Sequence, residues 1–331
     1  MTLDLVPVTE GSPTLRDWFE VRSAAWAVDV AGDHAPDWTD HQACLRFPFP
    51  GEQLVAQVAY RESVPIGYLV LYLPLRDNLD AAPCEIVVHP SYRHQGIGRS
   101  LLEAARERAA AHGRSRLLGF AVRGGDTDSF LEAAGARPVI ASAQRRLTLP
   151  HEDEPFAALL GEAREHAEGY SLVQWCGSCP EEHLGHLALL ESRLVTDAPL
   201  DDLTWEPEDY DAGRMRELDQ MREGRRIRSC TTAACDDTTG HVVAYTSIVV
   251  YQDHPKAAHQ WQTIVAPEHR GHRLGTLVKV ENIRLVRRHE PQVRIVDTNN
   301  ADSNEHMLRI NLAMGFELVR YWGNWELSPI G

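Results

Sequence analysis

Val87-Val-His-Pro90-Ser-Tyr-Arg93-His94-Gln95-Gly96-Ile97-Gly98-Arg99 runs from the end of an apolar stretch, through a turn with two glycines, into a helical pattern. Val265-Ala-Pro267-Glu-His-Arg270-Gly271-His272-Arg273-Leu274-Gly275-Thr276 repeats it without a gap, 177 residues later. Pro90 answers to Pro267, Arg93 to Arg270 and Gly98 to Gly275, but Gly96 faces Arg273. A repeat of this period in 331 residues predicts two similar domains, each long enough to bury its own core.

The residues around the first stretch predict a strand near Leu3–Val6 and a helix from Thr14 to Trp26. Gln53–Tyr60 and Ile66–Leu73 read as a hairpin, and Cys84–Val88 as the strand entering the turn. Leu101, Leu102, Ala105 and Ala109 then recur at helical spacing. A strand at Leu117–Val122, a short helix ended by Gly135 and two strands to about Leu149 complete the half. The second half repeats the order: Tyr170–Trp175 (strand), Pro180–Val195 and Pro207–Gly224 (helices), Arg228–Ala234 with His241–Tyr251 (hairpin), Gln260–Val265 (strand), Thr276–Arg288 (helix). Val293–Asp297, Ser303–Met314 and two closing strands to Leu327 follow. Pro150–Gly169 reads as an acidic linker with a short helix, so domains are expected at residues 1–155 and 165–331.

Strand, glycine turn and long helix make an anion cradle. A helix N-terminus presents unpaired backbone N–H groups and the positive end of the helix dipole. Glycine allows close backbone approach, and Arg93 can add a charge-assisted hydrogen bond. Arg93-x-x-Gly96-x-Gly98 after a Val-Val-His-Pro strand end resembles the acetyl-CoA pyrophosphate loop of the GNAT superfamily of N-acetyltransferases. The resemblance covers both halves. It implies an α/β fold of two tandem GNAT-like domains, each a mostly antiparallel mixed sheet flanked by helices.

It further implies that Val88, Arg93, His94, Gln95, Gly96, Ile97, Gly98 and Arg99 hold the cofactor in the first half. Val265, Arg270, Gly271, His272, Arg273, Leu274, Gly275 and Thr276 would do so in the second. Thr298-Asn299-Asn-Ala-Asp-Ser-Asn304-Glu-His-Met307-Leu-Arg-Ile-Asn311-Leu-Ala-Met-Gly315-Phe316 is similar to the family's segment beside the pantetheine arm, which adds Asn299, Asn304, Met307 and Asn311.

The family commonly places a carboxylate on the strand before the loop and a tyrosine four residues before the glycine of the later helix. Glu85 supplies the first in the first half, where Leu131 stands for the tyrosine. In the second half Gln262 aligns with Glu85 and Asn311 holds the tyrosine position. Glu85, Gln262 and Asn311 are therefore the candidate catalytic residues, with Gln262 able only to hold a relaying water. The polar segment around Asn304, and seven carboxylates from Asp197 to Asp211, favour the second half as the catalytic one.

The net charge of −15 divides as −3 over residues 1–150 and −12 over the remainder. The lack of a basic stripe argues against a nucleic-acid partner, and the acidic field either favours a cationic small-molecule amine or serves only to keep the protein soluble. No apolar run reaches membrane-spanning length, and six cysteines without dense spacing fit a reduced cytoplasmic protein, a monomer or homodimer. Cys176-Gly-Ser-Cys179, with Cys230 and Cys235, lacks the paired spacing of a zinc site, so no metal is expected. The expected activity is acetyl transfer from acetyl-CoA to a small amine by direct attack in a ternary complex. The alternatives are a mycothiol-synthase-like acetyltransferase and a non-catalytic acyl-CoA-binding or regulatory module.

Overall fold

The computed structural model describes residues 3–149, 154–197 and 199–330. The first half forms β1 (Asp4–Pro7), α1 (Pro13–Asp29), α2 (Trp38–Ala43), β2 (Glu52–Arg61), β3 (Val64–Pro74), β4 (Ala81–Val88), α3 (Ile97–Ala111), β5 (Arg116–Val122), α4 (Gly125–Ala133) and β6 (Arg137–Thr148). The second forms α5 (Glu154–His166), β7 (Tyr170–Cys176), α6 (Leu184–Asp197), α7 (Ala212–Gly224), β8 (Arg228–Asp236), β9 (Val242–Val250), β10 (Ala257–Val265), α8 (Leu274–His289), β11 (Ile295–Ala301), α9 (Glu305–Ala313) and β12 (Glu317–Leu327).

The chain folds into two compact units whose boundaries are not those of a simple cut. One comprises Met1–Ala141, Leu200–Glu206 and Tyr321–Gly331, the other Ser142–Pro199 and Pro207–Arg320. Each half closes on one long strand where the sequence predicts two, and the partner strand comes from the other half. In the first unit the order is β1-β2-β3-β4-β5-β12, with Trp322–Leu327 antiparallel to Val122–Leu117. In the second it is β6-β11-β10-β9-β8-β7, with Ser142–Thr148 antiparallel to Ala301–Ile295. A hydrophobic pattern of period two specifies a strand but not which sheet receives it.

Within the first unit β3 is buried on both faces, which is why Ile66–Leu73 reads as an unbroken apolar run. Leu69 and Leu71 meet Ile97, Leu101 and Ala105 of α3. Tyr68 and Val70 meet Trp18 and Val21 of α1 on the opposite face. The hairpin turn places Glu62 and Ser63 at φ 52° and 66°, the twist that a two-residue hairpin loop demands. Within the second unit α5 lies in the same core as α8, with Phe156, Leu160 and Ala163 among Val278, Ile283 and Ile248. The stretch expected as a linker thus carries part of a core, while residues 150–153 lie outside the described residues. Cys176 pairs with Cys230 across β7 and β8 as a disulfide, against the expectation of a reduced chain; Cys179 and Cys235 are free thiols.

Candidate functional site

Each unit splits its sheet at the same place. β4 runs parallel to β5 only from Ala81 to Cys84, and β10 parallel to β11 only from Ala257 to His259. Beyond those points Glu85–Val88 and Gln260–Val265 leave their neighbours, opening a wedge at the mouth of the glycine turn. A difference lies on the other edge. β4 stays in continuous register with β3 from Cys84 to Val88. β10 slips against β9 between Gln260 and Thr263, so Trp261 and Gln262 form a bulge.

The turns follow one backbone plan with different residues. The first has left-handed φ at His94 (60°) and Gly96 (80°); the second has it at Gly271 (90°) and Arg273 (52°). Both loops therefore need two left-handed positions, and each fills one with glycine. Arg273 tolerates a conformation that disfavours a side chain by about 1–2 kcal/mol. An ion pair with Glu162 of α5 at 2.5 Å accompanies it, and His272 Nδ1 lies 3.3 Å from the His166 carbonyl. Ile97 and Leu274 are core anchors, so they face the wedge only through their backbone. Their N–H groups and those of the next two residues have no acceptor within the helix.

Arg93 and Arg270 do the same thing locally, since each Nε donates to the strand's last carbonyl, of Val88 and Val265, at 3.3 Å. Arg93 is further held by Asp29 in a bidentate pair of two 2.7 Å hydrogen bonds. Gln95 accepts from Arg61 at 2.8 Å, and His94 lies 3.2 Å from Asp126. Arg99 is exposed on the first turn of α3, beside a cleft of about 300 Å³ bordered by Leu102, Phe130 and Ala133. Thr276 is buried at the matching place of α8. A methyl group added at Gly98 would meet the Phe130 ring at 3.5 Å, and one at Gly275 would meet Ile310 at 3.3 Å. Those glycines thus let the later helix approach the loop helix.

Glu85 is tied into a cluster on the α1 face. Tyr68 donates a short hydrogen bond to it, Tyr72 donates at 3.4 Å, and Arg22 lies 3.9 Å away. Burial first, and the Glu85 charge second, push both tyrosines well above their usual range. In the second unit Tyr245 stands where Tyr68 does in the repeat, but its hydroxyl meets Glu191 of α6. Buried Leu15, Trp18 and Val21 of α1 recur as Leu184, Leu187 and Leu190 of α6, which sets Glu191 in the place of Arg22. The carboxylate has moved from strand to helix, and Gln262 fills the vacated strand position. Burial raises the Glu191 pKa, against the hydrogen bond from Tyr245 and the nearby Arg222. Sequence reading missed Glu191; the register of Tyr245 with Tyr68 is the signal that could have found it.

The Asn-rich segment divides into distinct roles. Asn304 caps α9, accepting from the Met307 N–H at 3.1 Å. Asn311 is fully buried and donates to Asn300 at 2.7 Å, whereas Asn299 is exposed. Among the described residues, the buried Gln262 Oε1, Asn311 Oδ1 and Lys279 Nζ have no hydrogen-bond partner. Polar atoms so placed fit an amide- and phosphate-bearing cofactor such as acetyl-CoA better than a closed apolar core. The expected run of carboxylates divides. Asp201, Asp202 and Glu206 belong to the first unit, where Asn78 accepts from the Glu206 N–H at 2.7 Å. Glu208 pairs with Arg214 at 2.9 Å and Asp211 caps α7 in the second. The Asp197 side chain lies outside the described residues. Among the described residues no helix is long and apolar enough to cross a membrane, and no group of three or more His, Cys, Asp or Glu could hold a metal.

Comparison with known proteins agrees with this geometry. The model of the acetyltransferase (GNAT) family matches residues 15–130 and again 195–310. A tandem GNAT protein from the clavulanic acid biosynthesis pathway, solved without acetyl-CoA, is 32% identical over 100% of this chain and 99% of its own, with a TM-score of 0.84. A GCN5-related N-acetyltransferase from Sphaerobacter thermophilus shares the fold at 16% identity, over 98% of this chain and 95% of its own, TM-score 0.67. No curated protein sequence matches.

Proposed function

The chain belongs to the GNAT acetyltransferase family, and from that membership we propose that it acetylates the nitrogen of a small-molecule amine, with the chemistry in the second unit. Acetyl-CoA, when bound, supplies the acetyl group as a thioester, whose C–S bond breaks as the new C–N bond forms. The backbone N–H groups at the start of α8, with Arg273 and His272, hold the phosphates. Val265, Asn304, Met307 and Asn311 flank the arm. The edge of Gln260–Val265 that β11 leaves open offers backbone donors to the developing oxyanion.

The bulge at Trp261 and Gln262 carries the choice of unit, because it turns backbone groups of the split strand out of the β9 ladder. Glu191 takes the proton from the amine, its raised pKa bringing a carboxylate towards the range of a useful base. Gln262 orients the relay and Asn311 the leaving group. In the first unit Val88, Gln95, Gly96, Gly98 and Arg99 form a second cradle. There Glu85 has an ion-pair partner in Arg22, and its strand keeps unbroken register with β3 where β10 bulges, which favours holding acyl-CoA without turnover.

Gln95 and His272 occupy equivalent exposed loop positions, so Gln95→Glu and His272→Glu each set a like charge against one phosphate site. Free-thiol release would be followed with acetyl-CoA and a panel of amines. His272→Glu is expected to lower turnover about 100-fold and Gln95→Glu less than about 3-fold. The reverse pattern would place the chemistry in the first unit. A wild-type protein that binds CoA but turns over no amine would be a binding module.

A further inference from the structure

Helix α7 buries one stripe, Arg214, Met215, Leu218, Met221 and Arg222, so two arginines turn inward with the apolar residues. Arg214 uses both terminal nitrogens, on the Asp209 carbonyl and on Glu208, each at 2.9 Å. Arg222 does not. It is 8% exposed, and among the described residues its one acceptor is Asp219, which Nη1 reaches at 3.3 Å. Its Nε is buried without an acceptor, and its Nη2 donates to nothing among the described residues.

Nε and Nη2 lie along one edge of the guanidinium, where two parallel N–H bonds match the two oxygens of a carboxylate. This chain closes that edge elsewhere. Arg146 puts it on Asp297 with two 2.7 Å hydrogen bonds, and Arg116 puts it on Asp80 at 2.8 and 3.2 Å. On Arg222 the edge is left open. A mostly buried charge with unmet donors is costly unless a ligand supplies the oxygens.

The open edge stands beside the proposed base. The Arg222 guanidinium lies 4.5 Å from the centroid of the Trp261 ring, and half-buried Trp261 forms the β10 bulge with Gln262. Its charge also acts on Glu191 and Tyr245. In the first unit the opposite charges of Arg22 and Glu85 meet each other at 3.9 Å. In the second, Glu191 takes the Tyr245 hydroxyl and has no ion-pair partner among the described residues. A carboxylate and a guanidinium are thus held near one another but apart, which suits a molecule carrying both an amine and an acid.

We propose that the Nε/Nη2 edge of Arg222 is a carboxylate subsite and that the acceptor is an amino acid, α or ω, with its carboxylate on Arg222 and its amine towards Glu191. The inference rests on the acetyl-transfer reading above and names the substrate class for it. A single negative charge fits better than a phosphate dianion, because Asp219 and Glu191 flank the guanidinium. Arg222 is thereby a specificity-determining residue.

Free-thiol release from acetyl-CoA would be compared for α- and ω-amino acids and for their carboxamides, which keep the amine and lose the charge. For the acceptor used best, kcat/KM should favour the acid over its own carboxamide about 10- to 100-fold. Arg222→Gln should bring the two within about threefold of each other, the loss falling on KM rather than kcat. Carboxamides used by the wild type as well as the acids overturn the subsite and leave acetyl transfer standing. A preference for the acid that survives Arg222→Gln also overturns it. Thiol release with no amine overturns both. The wild-type comparison keeps the test decisive if the variant folds poorly.

Discussion

The Arg273 guanidinium lies 2.5 Å from the Glu162 carboxylate, which fastens a strained loop residue to a helix that the sequence alone reads as linker. Both side chains are partly exposed, so the pair itself contributes at most about 1 kcal/mol and fades with salt. The left-handed backbone at Arg273 costs about as much. Arg273→Gly is therefore expected to be near neutral at low salt and stabilising by about 1 kcal/mol at high salt. Urea unfolding at the two ionic strengths measures this, and a loss of stability at both would refute it.

Lys279 gives the second unit a pH-dependent weakness. Its folded pKa of about 7 lies below the unfolded value near 10.5, so the unfolded chain binds the extra proton between them. The penalty is fully developed below pH 7 and vanishes above about pH 10, at about 1.4 kcal/mol per unit. Lys279→Met should raise stability by several kcal/mol at pH 7, with the gain shrinking as pH climbs. Thermal melts from pH 6 to 10 read the trend; a pH-independent difference would contradict it.

His41 does the corresponding thing to the first unit in acid. Burial first, then the nearby Arg22 charge, lower its pKa from 6.5 to about 3, and its ring lies 4.2 Å from that of Trp18. The unfolded state gains a proton below pH 6.5 that the folded state refuses, so stability is lost as pH falls from 6.5 towards 3. His41→Phe should flatten that decline by about 1.4 kcal/mol per unit. Denaturant midpoints between pH 4 and 7.5 would show equal slopes in the two proteins if the prediction is wrong.

The two carboxylates should separate structure from chemistry. Glu85→Gln removes one side of the Arg22 cluster and should destabilise the first unit by about 1–3 kcal/mol, with turnover nearly unchanged. Glu191→Gln should lower turnover by about 10²–10⁴, the usual effect of losing a general base. Initial rates and melts on the same samples suffice. Turnover lost on Glu85→Gln and kept on Glu191→Gln would move the chemistry to the first unit.

The sequence by itself determined the duplication, the two-domain α/β character and the place of each loop, because glycines, proline punctuation and hydrophobic period act locally. Gly96 and Arg273 could be aligned from the sequence. That both adopt left-handed backbone, with His94 and Gly271 completing the pattern, is a property of the folded turns. Which sheet takes β6 and β12 depends on contacts between segments about 150 residues or more apart, and no local signal carries them. The same holds for the carboxylate that moved from Glu85 on a strand to Glu191 on a helix. Lys279 stands four residues beyond Gly275 in the sequence, but it is folding that buries it against Phe316 and, among the described residues, leaves its amine without a hydrogen-bond partner. Residue type fixed what each group can do; the surroundings that tertiary packing supplies, through desolvation and long-range pairing, decided which of those capacities it has.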